Sequence, residues 1–233
     1  MSSIYLVRHG QASFGKEDYD QLSEKGFHQG RRLAEHFKRV HPTELVCGDM
    51  KRHQQTADAY REAAGVSLPV AIDPGFNEFD HMDVIHVHRP QWRDRACMIA
   101  ELAKHPSPRK LFQAQFAEAV MRWAGGMHDE DYVESWPVFR ARVYAAFTRT
   151  LLARESGREV IVFTSGGPIS VICGHLLGMD ERGTLQLNDN LANASVSRVL
   201  FSSTQDVADR VSLHYFNNYF HLEQGEESIL SYR

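Results

Sequence analysis

Glu159-Val160-Ile161-Val162-Phe163 constrains this chain more than any other segment. A short run that is apolar at every inner position has no face to give to water. It reads as a strand covered on both sides, as a central strand of a parallel sheet must be. It runs into Thr164-Ser165-Gly166-Gly167, and Pro168 then opens a stretch with Ile169, Ile172, Cys173 and Leu176 facing inward at helical spacing, closed by Gly178. The chain begins in the same way. Ile4-Tyr5-Leu6-Val7 is a second buried strand, and it leads into Arg8-His9-Gly10, where the glycine permits a sharp turn. Two such strand ends point to an open α/β sheet, which keeps its ligands at the carboxyl ends of its strands.

The segments between them fit that architecture. After a polar loop from Gln11 to Gln21, containing Ser13 and Gly15, Ser23 is placed to cap a helix with Phe27, Leu33, Ala34, Phe37 and Val40 on one side, stopped by Pro42. Glu44–Cys47 reads as a strand. Met50, Ala57, Tyr60 and Ala64 mark a helix ended by Gly65, and Leu68–Ile72 a short strand before Pro74-Gly75. Later, Ser135 and Pro137 start a helix with Phe139, Val143, Phe147 and Leu151 inward. Val196–Phe201 and Val211–Phe216 read as strands, at least one of them antiparallel. The alternation predicts a three-layer α/β sandwich: a mostly parallel central sheet with helices on both faces.

Residues from about 79 to 134 break the pattern. They are rich in His, Arg and Asp, contain Pro90, Pro106 and Pro108, and offer no convincing strand. Phe112, Phe116, Val120 and Trp123 give one amphipathic helix, ended by Gly125-Gly126. This stretch is expected to be a helical insertion over the active-site edge of a single domain spanning 1–233.

Composition excludes several classes of function. With 42% hydrophobic and 24% charged residues in a chain of 233, there is material for a core, and a net charge of −4 leaves no footprint for nucleic acid. Cys47, Cys97 and Cys173 form no CxxC and read as reduced thiols. No leader is expected before the strand at Ile4, and Val160–Gly178 is too interrupted to span a membrane. The expected location is cytoplasmic, with no membrane partner.

A glycine turn feeding a helix N-terminus exposes amides and a partial positive charge, which suits an anion. Arg8 beside such a turn suits a phosphoryl group, and Arg52, near the start of the second helix, is either a second cation for it or a solvated surface residue. Ser165 on a strand-to-helix elbow also admits a serine hydrolase with Asp189 and His214, although Phe163 stands where the elbow wants glycine. His81, His86 and His88, with Asp83, have spacings that admit a metal site or a solvated loop. Trp92, Arg89, Arg93 and Arg95 face either a phosphorylated ligand or solvent.

The motifs taken in order carry a family resemblance. Arg8-His9-Gly10, Leu22-Ser23-Glu24-Lys25-Gly26 with Gln29, Arg52-His53-Gln54-Gln55-Thr56-Ala57 and Asn77-Glu78 resemble the histidine phosphatase (phosphoglycerate-mutase-like) superfamily. Trp136, Phe139 and Arg142, then Asn193-Ala194-Ser195-Val196 and His221-Leu222, continue the likeness. It implies that His9 is a nucleophile forming a phosphohistidine, that Arg8 and Arg52 hold phosphoryl oxygens, and that Glu78 is the proton donor, with Asp80 and Asp83 as rivals. It also implies a phosphorylated small molecule or phosphoprotein as substrate, and no metal or other cofactor. A homodimer is compatible with it.

One position departs from the family. A second histidine is expected at the end of the late strand, and Ser165 stands there, followed by Gly166. Ser165 and Gly166 are therefore expected to bind phosphate through a neutral, shorter donor. Losing a good donor at such a site costs about a hundred- to thousand-fold in rate. The expected activity is a slow or specialised phosphomonoester phosphatase. The alternatives are a non-catalytic relative that binds a phosphorylated ligand, or one in which His81, His86 or His88 replaces the missing ring. Gln-Ala-Ser-Phe-Gly after Gly10 lacks the asparagine and the downstream basic cluster that resemble a mutase's grip, which points away from phosphoglycerate mutase activity. Ser165→His is expected to raise turnover about tenfold or more, unless another group already supplies the donor.

Overall fold

The computed structural model describes residues 2–13, 20–152, 157–202, 211–224 and 227–232. Phe14 and Gly15, part of the argument against a mutase, lie outside them. The chain divides into two compact units, Met1–Glu78 with Arg142–Arg233, and Phe79–Ala141. Among the described residues there are six strands: β1 (Ser2–Arg8), β2 (Glu44–Cys47), β3 (Val70–Ile72), β4 (Glu159–Thr164), β5 (Val196–Phe201) and β6 (Ser212–Asn218). The helices are α1 (Glu24–His36), α2 (Lys51–Ala64), α3 (His81–His88), α4 (Arg95–Ala103), α5 (Pro108–Ala124), α6 (Trp136–Leu152), α7 (Gly166–Leu176), α8 (Glu181–Asp189) and α9 (Phe220–Glu223).

In the first unit the strands form one sheet in the order β3-β2-β4-β1-β5-β6. The β3–β2, β2–β4 and β4–β1 ladders are parallel, and β5 runs against both β1 and β6. This is the mostly parallel α/β sheet that the alternation predicts. Successive residues of a strand point to opposite faces. Tyr5 and Val7 of β1 join Leu33 of α1, Phe37 just beyond it, and Ala57 and Tyr60 of α2 in one core. Phe37 meets both Tyr5 and Tyr60 edge-on, at ring-centroid distances of 5.3 and 5.4 Å. Ile4 and Leu6 are fully buried on the other face. Each such side chain contributes roughly 1.5–3 kcal/mol of burial. α7 is buried from Gly166 to Gly174 and is tied to α6 by Tyr144 Oη, which donates to the Val171 carbonyl at 3.2 Å.

Local signals explain most element ends. Ser23 Oγ accepts from the Gly26 amide at 3.1 Å and caps α1. Gly65 ends α2 in the left-handed region at φ 65°. Four expectations shift. α1 ends at His36, short of Phe37, Val40 and Pro42, β3 covers only residues 70–72, β6 extends to Asn218, and α7 starts at Gly166, two residues ahead of Pro168.

Between residues 79 and 134 the second unit contains three α-helices where the sequence suggests one, and it continues into the start of α6, with no strand among its described residues. Phe79, Trp123, Trp136 and Phe139 form its aromatic core, with Phe79 and Trp123 rings 4.6 Å apart and Trp123 and Trp136 rings 5.0 Å apart. Trp92 is buried and donates to Glu101 Oε2 at 2.8 Å, while Arg89 lies over its ring and pairs with the same carboxylate. Those two residues are structural there, and only Arg93 and Arg95 are exposed. Among the described residues, no group of three or more His, Cys, Asp or Glu side chains is arranged to hold a metal ion. The metal reading of His81, His86 and His88 thus finds no support. No helix is long and apolar enough to cross a membrane among those residues.

Candidate active site

The register of the sheet brings the two glycine-turn strand ends together. Arg8 pairs with Thr164 across β1–β4, and Cys47 with Phe163 across β2–β4, so three parallel strands end in line. The first residues beyond stay in register: the His9 amide donates to the Thr164 carbonyl at 2.8 Å and the Gly48 amide to the Phe163 carbonyl at 3.1 Å. His9, Ser165 and the start of α2 therefore share one edge.

His9 is 8% exposed. Its Nδ1 lies 2.7 Å from the Gly10 carbonyl oxygen. A carbonyl only accepts, so Nδ1 carries the proton and Nε2 keeps its lone pair. That lone pair accepts from Arg52 Nε at 3.2 Å. Burial holds the His9 pKa well below the usual histidine value, with the Arg52 and Arg8 charges and then His53 adding to it. The ring is neutral at pH 7, with its free nitrogen at an arginine. That is the state a nucleophile requires.

Arg52 is fixed from two sides. Nη1 donates to Asp20 Oδ1 at 2.7 Å, and Asp20 Oδ2 accepts from the Lys51 amide at 3.0 Å. Thr56 Oγ1 donates to the Arg52 carbonyl at 2.6 Å and accepts from the Gly10 amide at 3.1 Å, linking α2 to the nucleophile loop. Arg8 is buried at the end of β1, and its Nη1 donates to the Leu191 carbonyl.

Ser165 and Gly166 are fully buried at the mouth of α7. Ser165 Oγ lies 2.7 Å from His53 Nε2. The His53 ring is also fully buried, 5.7 Å from the His9 ring between centroids, and burial with the neighbouring Arg52 charge keeps it neutral. A Cβ on Gly166 would lie 2.2 Å from Asn188 Oδ1, so the α8 side chain packs directly on this turn. Glu78 Oε2 accepts from the Gly167 amide at 3.0 Å, placing a half-buried carboxylate at the same helix start. Arg142 Nη1 donates to the carbonyls of Pro74, Gly75 and Asn77 at 3.2, 3.2 and 3.0 Å and so holds the turn that presents Glu78. The rival carboxylates have other tasks. Asp80 caps α3 through the Met82 and Asp83 amides, and Asp83 accepts from the Val133 amide.

The structure thus brings His9, Arg52, Ser165, Gly166 and Glu78 into a connected set, with Arg8 at the adjoining strand end. It does not bring His214 to Ser165; that side chain is exposed on β6. Two members of the set escape sequence reasoning, His53 and Asp20. The signal for His53 was present as an extra histidine inside the Arg52 motif, in a chain lacking one at position 165.

Known proteins share this fold. Over 96% of each chain the protein is 24% identical to an Enterobacter protein described as a probable phosphoglycerate mutase. Among solved structures, a Bacillus anthracis phosphoglycerate mutase matches with TM-score 0.64 at 18% identity over 94% of each chain. A mycobacterial glucosyl-3-phosphoglycerate phosphatase matches with TM-score 0.62 at 21% identity over 93% of this chain and 99% of that one. Such likenesses establish a shared fold. The model of the histidine phosphatase superfamily (branch 1) matches residues 4–213, and the chain belongs to that superfamily.

Proposed function

We propose that this protein is a phosphomonoester phosphatase that works through a phosphohistidine on His9. The observation that carries the reading is the state of that ring: Nδ1–H tied to the Gly10 carbonyl, and Nε2 unprotonated against Arg52. Nε2 attacks phosphorus, the N–P bond forms, and the P–O bond to the leaving group breaks. Glu78 in its acid form gives the leaving oxygen its proton. Water then attacks the phosphohistidine, Glu78 takes a proton from it, and the N–P pair returns to Nε2. Arg8 and Arg52 offset the charge on the phosphoryl oxygens, the main protein contribution in such transfers. Splitting one hard displacement into two is the gain from the covalent step.

A neutral hydroxyl at position 165 makes turnover slow or restricts it to a favoured substrate, a phosphorylated small molecule or phosphoprotein. The relative described as a probable phosphoglycerate mutase suggests another outcome for the same phosphohistidine, return of the phosphoryl group to a second hydroxyl. Phosphate release from p-nitrophenyl phosphate and a phosphomonoester panel, beside interconversion of 2- and 3-phosphoglycerate, tests the choice. The wild type is expected to release phosphate and to carry an acid-labile label on His9, while His9→Ala loses both. Equal release by the two proteins would reduce the chain to a phosphate-ligand binder. Interconversion faster than release would make it a mutase.

A further inference from the structure

Ser165 occupies the N-cap of α7 with extended backbone (φ −116°, ψ 175°). In that position a serine hydroxyl ordinarily accepts from an amide of the first helical turn. Here it makes no capping bond, and the Gly167 amide goes to Glu78 instead. The hydroxyl is committed to His53 Nε2, 2.7 Å away.

His53 is shaped for that contact. Its other nitrogen, Nδ1, is buried without a hydrogen-bond partner among the described residues. A Cβ on Gly48 would lie 2.4 Å from Nδ1, so the bare backbone beyond β2 makes room for the ring. Of the two ways to leave a buried nitrogen unpaired, a lone pair is tolerated more often than an N–H. The proton then sits on Nε2 and is donated to Ser165 Oγ, which turns the serine's own hydrogen away from His53. A nucleophilic serine would need the reverse arrangement, with a third group orienting the imidazole through Nδ1. That nitrogen has no such group.

We propose that His53 and Ser165 act as one hydrogen-bond donor to the phosphoryl group: His53 Nε2–H holds Ser165 Oγ, and Ser165 O–H donates to an oxygen of the phosphoryl group carried by His9. Ser165 touches the substrate and His53 is a positioning residue. The pair supplies from α2 the imidazole that is missing at the end of β4. No proton is transferred by the pair, and the bonds that form and break are those of the phosphohistidine reading, on which this proposal rests.

The experiment measures kcat and KM for p-nitrophenyl phosphate in six proteins: wild type, His53→Ala, Ser165→Ala, Ser165→His, the double alanine variant, and His53→Ala with Ser165→His. Each single alanine change is expected to lower kcat about ten- to a hundredfold with little change in KM, and the double is no worse than either single. The swap, which empties the room that His53 fills, recovers about tenfold or more over His53→Ala, whereas Ser165→His alone gives no gain. Imidazole 15N shifts should report His53 as the Nε2–H tautomer in wild type. Multiplying single effects, an unaltered kcat in His53→Ala, or an Nδ1–H tautomer would each overturn the proposal. If His53→Ala does not fold, His53→Gln, which keeps an N–H at similar reach, is expected to hold kcat above the Ser165→Ala level; a fall to that level overturns it. If the wild type neither releases phosphate nor labels His9, the phosphatase reading has failed by itself. The pair is then judged on orthovanadate affinity. Equal losses in the two single variants with no further loss in the double support it, and unchanged affinity overturns it.

Discussion

Gly10 and Gly26 are pressed together, backbone to backbone. A Cβ on Gly10 would sit 2.4 Å from the Gly26 carbonyl oxygen, and one on Gly26 would sit 2.2 Å from that of Gln11. Neither obstacle is a side-chain end that can swing aside, and the Gly10 carbonyl is also what holds His9 Nδ1. Gly10→Ala is therefore expected to destabilise the fold by about 1–3 kcal/mol, as overpacking does, and to disturb the nucleophile. Urea unfolding would check it, and an unchanged midpoint would contradict the close approach. The glycine was legible in the sequence, but for a different reason: its φ is not among the positive ones, and the need is proximity. Arg8, His9 and Ser165 were legible because each lies at a turn that ends a strand, whereas Arg52 and Glu78 were singled out by the likeness to the family. His53 was not, since adjacent helix residues rarely share a face; in the first turn of α2, Arg52 and His53 both reach the sheet edge. Asp20 sits in a loop that no periodicity describes.

Elements were readable where they bury carbon. β2 and β5 match their expected bounds residue for residue: Leu45-Val46-Cys47 is a compact apolar run, and β5 buries Val196, Val199 and Phe201 around Ser197 and Arg198. α8 buries Thr184 and Asn188, both polar, and α4 buries nothing, so a search for apolar stripes passes over both. Asp180, which caps α8 through the Gly183 amide, was the available clue. The seam between α1, β6 and α9 has a consequence of its own. His36 Nε2 lies 3.0 Å from Tyr215 Oη, and the His36 ring is 5.1 Å from the His221 ring. Burial pushes the His36 pKa down to about 4; burial, with the neighbouring His36 second, takes His221 down to about 3. Folded-state values below the unfolded value of 6.5 mean that the unfolded chain takes up protons first. Stability is complete above about pH 6.5 and is lost as pH falls toward 4 and then 3, by on the order of a few kcal/mol. His9 and His53 shift the same way and add to the loss. Urea midpoints between pH 7 and pH 4 should fall steadily, and a flat profile would show that these rings titrate freely.

At the scale of the molecule, the sheet binds together distant parts of the chain. β1 lies between β4 and β5, so Ser3 pairs with Glu159 on one side and with Leu200 on the other. A chain ending at residue 195 would lack β5, β6 and α9, leaving one ladder of β1 bare and the Arg198 and Leu222 contacts unmade. Such a fragment is expected to give no cooperative thermal transition, and a sharp one would mean that the four-stranded remainder folds by itself. The same wiring sets a schedule during synthesis. At ~5–20 residues per second, roughly 10–40 s separate the emergence of Arg8 from that of Phe201. Until β4 emerges Ile4-Tyr5-Leu6-Val7 is a sticky ribbon with both edges open, and its β5 edge stays open to the end of that interval, the kind of segment that invites wrong pairing. Before it carries a nucleophile, β1 is a client for whatever shields nascent chains.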